Sequence, residues 1–192
     1  MTPTQWYRAA GLAVLLAGAA APAAAQGDSS RATARAGGSG TKPTAKKAAA
    51  PADTQWVTYD AAKNLVAFKL VAGPFLFNGY GSGEASLIVP PKSNVVMNFV
   101  QDDGTPHSAE IDSGKGPVPN AGGNPAIPRA YTNKVIEGLP QGATDVIRFT
   151  APESGTYRII CGVPGHALSG MWIWFKVDPS AKTARFQASR KG

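Results

Sequence analysis

Between Cys161 and Met171 the chain runs Cys-Gly-Val-Pro-Gly-His-Ala-Leu-Ser-Gly-Met, and this loop restricts the fold more than any other stretch. It holds the only cysteine of the 192-residue chain, one of its two histidines and one of its three methionines, in a Cys-x4-His-x4-Met run. Thiolate, imidazole and thioether are the soft-to-borderline donors that a protein can offer a metal. Bringing all three to one place requires two strands that end side by side. Gly162, Pro164, Gly165 and Gly170 supply the backbone for a tight turn between them.

The flanking sequence supplies such strands. Gln55 to Tyr59, Leu65 to Val71, Phe75 to Gly79, Ser86 to Val89 and Asn94 to Val100 are short β-prone segments divided by Gly, Pro and Asn. Pro106 to Ile111, with His107 at its entrance, Asp145 to Thr150 and Thr156 to Cys161 continue the series. That spacing predicts an all-β sandwich or barrel with no major helix. Alternation puts Val95, Met97 and Phe99 on one face, so Met97 reads as core rather than as a ligand. It turns Tyr157, Ile159 and Cys161 inward with Arg158 opposite. Met171, Ile173, Phe175 and Val177 likewise face in, and Trp172 and Trp174 face out, as packing rather than as an electron relay. The stretch 112–142 is dense in Gly and Pro. It forms a long loop between His107 and the Cys-bearing strand, and Ile127, Tyr131, Val135, Ile136 and Leu139 predict that it lies against the body.

Net charge is +7, but it belongs to the ends of the chain. From Thr54 to Asp178 nine basic residues face ten acidic ones, so the body offers no basic surface for nucleic acid. Residues 1–25 carry Arg8, an apolar run from Ala9 to Ala21 and an Ala23-Ala24-Ala25 site, the pattern of a secretory signal peptide or a retained anchor. Residues 26–53 are dominated by Ala, Gly, Ser, Thr, Pro and basic residues with no aromatic residue, which predicts a flexible tether. The domain itself then spans 54–192 and ends in a basic tail. In an exported chain a solitary cysteine has no disulfide partner, and metal ligation accounts for it.

Counting narrows the chemistry. A Cys, two His and a weak axial Met form the ligand set of an electron-transfer copper site, which makes His107, Cys161, His166 and Met171 the candidate ligands. Zinc prefers a fourth His, Cys or carboxylate to a thioether. A copper oxidase needs further histidines for a second centre, and the chain has none to spare. A cysteine hydrolase built on Cys161 and His166 leaves Met171 and the Gly/Pro loop without a purpose. A periplasmic copper carrier remains as the alternative, because transport and electron transfer use the same ligands.

The Cys-x-x-Pro-Gly-His-x-x-x-Gly-Met loop resembles that of the cupredoxins, the small blue copper proteins. With Phe77-Asn78-Gly79-Tyr80, Val89-Pro90, Pro106-His107-Ser108, Ala130-Tyr131-Thr132 and Gly138-Leu139-Pro140-Gln141-Gly142, the stretch from Pro74 to Val177 is most similar to the sulfocyanin branch. The resemblance implies a Greek-key β-sandwich holding one Cu(I)/Cu(II) ion on His107, Cys161, His166 and Met171. It also implies single-electron transfer in a respiratory chain, from a donor complex to a terminal oxidase. The export signal places that chain in the periplasm or at the outer face of the cytoplasmic membrane, and a non-enzymatic monomer is expected. Docking is expected near His166, on Val163, Pro164, Ala167 and Leu168. Many cupredoxins place Asn after the first ligand His, where it braces the Cys-bearing strand; Ser108 is shorter, which leaves that brace unassigned.

Overall fold

A two-residue rhythm of burial runs through the long strands of the computed structural model, which describes residues 55–188. The expected signal peptide, residues 1–25, and tether, residues 26–53, lie outside that range. In β2 (Leu65–Gly73) Val66, Phe68, Leu70 and Ala72 are buried, whereas Lys69 is exposed. In β5 (Asn94–Gln101) Val95, Met97 and Phe99 are buried, so Met97 is core. The two strands run parallel, with Val66 opposite Val95, Phe68 opposite Met97 and Leu70 opposite Phe99. β-Branched and aromatic side chains thus stack in rows on one face, which is what makes such segments strands.

The remaining strands are β1 (Val57–Asp60), β3 (Leu76–Phe77), β4 (Ala85–Val89), β6 (Glu110–Asp112), β7 (Thr144–Thr150), β8 (Gly155–Ile160), β9 (Trp172–Val177) and β10 (Arg185–Ala188). One sheet has the order β1-β2-β5-β7 with β3 on β2; the other has the order β10-β4-β9-β8-β6. Each sheet contains one parallel pair, β2 with β5 and β4 with β9, among antiparallel neighbours. The chain changes sheet repeatedly between β3 and β8, as a Greek-key sandwich requires. No helix occurs among the described residues. The core lies between the sheets, with Phe68, Phe77, Phe99, Phe175 and Phe186 fully buried.

Two features differ from the sequence expectation. Arg185 to Ala188, within the basic tail, pairs with β4 as an edge strand, and Phe186 stacks on Phe68 at 5.7 Å. An aromatic buried at this position makes the segment part of the core. Arg158 does face away from the core, yet it is buried. Its guanidinium binds Asp112 at 2.7 Å and donates to the carbonyls of Lys115, Gly116 and Pro117. The long loop therefore starts by wrapping a cation. Behind it, Arg158 sits 6.0 Å from the Trp172 ring, and Trp172 meets Trp174 edge to face at 5.0 Å. The indoles are outer packing, and Gly83 lies close against them: a Cβ there would lie 2.6 Å from Trp172.

Candidate metal centre

Cys161 follows β8, and Met171 precedes β9. The antiparallel pairing of these strands sets the two residues side by side, with the Cys161 N–H donating to the Met171 carbonyl at 3.0 Å. The loop between them is a run of turns. The His166 N–H donates to Val163, Ser169 to Gly165, Gly170 to Ala167 and Met171 to His166. Gly165 and Gly170 have φ of 82° and 101°, values that a Cβ disfavours. These turns lift His166 over Cys161 and leave the Met171 side chain fully buried.

His107 arrives by a different route from the one its sequence predicts. The strand begins at Glu110 rather than at Pro106. His107 forms an isolated bridge with Leu139, the Ser108 N–H points at Cys161 Sγ (3.5 Å), and Ala109 pairs with Thr132. Residues 107–109 thus spend their backbone groups on the thiol and the long loop, not on a strand partner.

Three donor atoms converge. His107 Nδ1 and His166 Nδ1 are 3.1 Å apart, and they lie 3.8 Å and 3.5 Å from Cys161 Sγ. A point equidistant from all three would be about 2 Å from each, close to metal–nitrogen and metal–sulfur bond lengths. These residues form the metal-capable cluster found among the described residues. Two imidazoles, one thiolate and a neighbouring thioether residue suit a single copper ion.

The surroundings fix the donors. Ser108 Oγ accepts from the Gly162 N–H at 3.0 Å and donates to the Val135 carbonyl at 2.6 Å. The short side chain therefore does brace the end of the Cys-bearing strand, with the loop carbonyl as a third member. Gly162 has no room for a side chain, since a Cβ would stand 2.7 Å from that same carbonyl. The Gly122 N–H donates to Gly162, and the Gly165 N–H to Asn120, so the long loop clasps the ligand loop from outside. Burial pushes the Cys161 thiol up from its ordinary pKa. Without a metal it is a neutral thiol, which disfavours a nucleophilic role. Burial lowers the His166 pKa, with the neighbouring His107 acting in the same direction.

Two residues at the site carry no obvious sequence signal. Asp103 Oδ2 lies 2.7 Å from His107 Nε2, and that hydrogen bond holds the carboxyl below its ordinary pKa against some desolvation. Phe75 sets its ring 4.7 Å from His166 and 5.8 Å from His107. Of the expected surface around His166, Pro164 and Leu168 are exposed and Val163 is half-buried. Ala167 is fully buried, because the successive turns point it inward. In the long loop Ile127 and Leu139 pack inward as expected, but Tyr131 and Ile136 are exposed.

Sulfocyanin of Sulfolobus acidocaldarius is 31% identical over 105 residues, covering 51% of this chain and 53% of that protein. The chain thus matches about half the length of this relative. Among solved structures, rusticyanin from Thiobacillus ferrooxidans is 25% identical with a TM-score of 0.44, covering 65% of this chain and 88% of that one. A dithionite-reduced auracyanin from Roseiflexus castenholzii is 22% identical with a TM-score of 0.45, covering 59% and 97%. The profile of the sulfocyanin (SoxE) domain matches residues 54–186, and the chain belongs to that family.

Proposed function

We propose that this protein is a one-electron carrier with a single copper ion held by His107, Cys161, His166 and Met171. The observation that carries the reading is the convergence of both Nδ1 atoms and Sγ within 3.8 Å, walled by buried residues. Bound copper supplies a Cu(II)/Cu(I) couple there. The chain's own contribution is rigidity. Ser108, the Gly162 contact and the turns of the ligand loop hold the donors in place before and after transfer, which limits rearrangement between oxidation states.

His166 is the donor that reaches the surface, and exposed Pro164, Leu168 and Phe75 surround it. Between Gly162 and Met171 no side chain other than His166 is ionisable. Such an apolar rim suits a small, transient contact with a redox partner. The partners we propose are a donor complex and a terminal oxidase, in an exported chain at a membrane surface. Both histidines of the protein are committed to one centre, which supports a carrier rather than a catalyst. The test is a redox cycle of the copper-loaded protein beside a Cu(I) chelator. Reversible bleaching by ascorbate and recovery with a mild oxidant, copper retained, is expected. Loss of copper to the chelator at each reduction would overturn the electron-carrier reading in favour of a periplasmic copper carrier.

A further inference from the structure

We propose that Asp103 is a positioning residue for this centre. Its carboxylate holds His107 as the Nε2–H tautomer, presenting Nδ1 to the metal, and its negative charge favours Cu(II) over Cu(I). The inference rests on the copper reading above and deepens it.

His107 is fully buried, and its two ring nitrogens are engaged in different directions. Nδ1 faces Cys161 Sγ and His166 Nδ1, whereas Nε2 meets Asp103 Oδ2 at 2.7 Å. An ionised carboxylate can only accept, so a contact of this length puts the hydrogen on Nε2. A neutral imidazole carries one N–H, and Nδ1 then keeps a lone pair aimed at the donor cluster. A carboxylate behind a metal-bound imidazole also raises its basicity as a ligand.

The turn that bears Asp103 is itself anchored. Gln101, fully buried at the end of β5, donates from Nε2 to the carbonyls of Asp103 and Thr105. Its backbone N–H donates to Ala143 and its carbonyl accepts from Gly142, and the Asp102 N–H donates to Ala72. Strand β2, strand β5 and the end of the long loop thus fix the turn that presents Asp103, whose side chain is only 17% exposed. His166 has no counterpart: its Nε2 makes no hydrogen bond with a described residue. The two imidazoles are therefore inequivalent. One is clamped from behind, and the other faces the surface.

Two variants separate charge from shape. Asp103→Asn keeps the size and an acceptor oxygen but removes the charge, and Asp103→Ala removes both. Nitrogen-15 spectra of the histidine rings in the metal-free protein read the tautomer directly. Wild type should show His107 with a slowly exchanging Nε2–H, and Asp103→Ala should lose that protection and mix tautomers. With copper bound, Asp103→Asn should keep the intense visible band and show a reduction potential above that of wild type. A merely structural role would leave the potential unmoved. Asp103→Ala should bind copper about 10–100-fold more weakly. An Asp103→Asn potential equal to or below wild type, or an unchanged His107 tautomer in Asp103→Ala, overturns the proposal. If Asp103→Ala does not fold, the Asp103→Asn potential decides. Wild-type protein that binds copper without the visible band overturns the copper reading instead, and the tautomer measurement then decides the role of Asp103.

Discussion

Phe75 adopts a left-handed backbone, with φ at 53°. For a residue with a Cβ that conformation costs about 1–2 kcal/mol. What the strain accomplishes is placement: the ring lies over both imidazoles and remains 39% exposed. Strain of this kind concentrates at functional sites. Replacing Phe75 by Gly or by Ala removes the ring in both cases, so their difference isolates the backbone. Phe75→Gly should unfold at higher denaturant than Phe75→Ala, by about 1 kcal/mol; an Ala variant of equal or greater stability would contradict the strain. The candidate ligands were legible in the sequence because their chemistry is in their identity: one Cys, two His and a Met at the right interval. Phe75 and Asp103 were not. A phenylalanine after Gly73-Pro74 reads as the first residue of a short β-prone segment, and an aspartate four positions before His107 reads as part of a polar turn. Only the tertiary approach of the ligand loop gives them partners.

Among the elements, the loop over 113–143 does the most to hold the site without supplying a candidate ligand. Glu110 ties it down from below. Its buried carboxylate accepts from the Gly123 N–H at 2.6 Å and the Asn124 N–H at 3.2 Å, beside the Gly122–Gly162 contact. Burial raises its pKa, outweighing those two hydrogen bonds, and nearby Asp112 adds to the rise. A carboxyl with a raised folded pKa contributes stability that is fully present below its unfolded value and lost as pH rises through the folded value. Wild type should therefore lose thermal stability relative to Glu110→Gln on going from about pH 4 to about pH 7. A stability difference that stays constant across that range would contradict it. The sequence showed this loop to be long and placed Ile127, Tyr131, Val135, Ile136 and Leu139 against the body, which holds for Ile127 and Leu139 but not for the exposed Tyr131 and Ile136. It did not show the clasp, because the clasp is made of backbone groups of Gly122, Asn120 and Val135, which leave no compositional trace. The same reason explains His107. Its segment has strand-like residues, but the neighbouring Ser108 and Ala109 give their hydrogen bonds to Cys161 and Thr132.

At the scale of the molecule, one of the two mixed sheets pairs β8 with β9 and carries the adjoining strand ends of Cys161 and Met171 to the site. Strand alternation made this architecture legible from sequence, down to the inward face of Met171, Ile173, Phe175 and Val177. The last strand was not legible, because Arg185 to Ala188 has a tail-like charge and only Phe186 to mark it. The whole arrangement serves one centre that faces the surface through His166. A titration of the purified chain with Cu(II), run beside Cys161→Ser and followed by visible absorption, tests this most directly. An intense thiolate-to-copper band that saturates at one copper per chain in wild type, and is absent from Cys161→Ser, is the predicted result. A band that survives in Cys161→Ser, or that keeps growing past one equivalent, would contradict it.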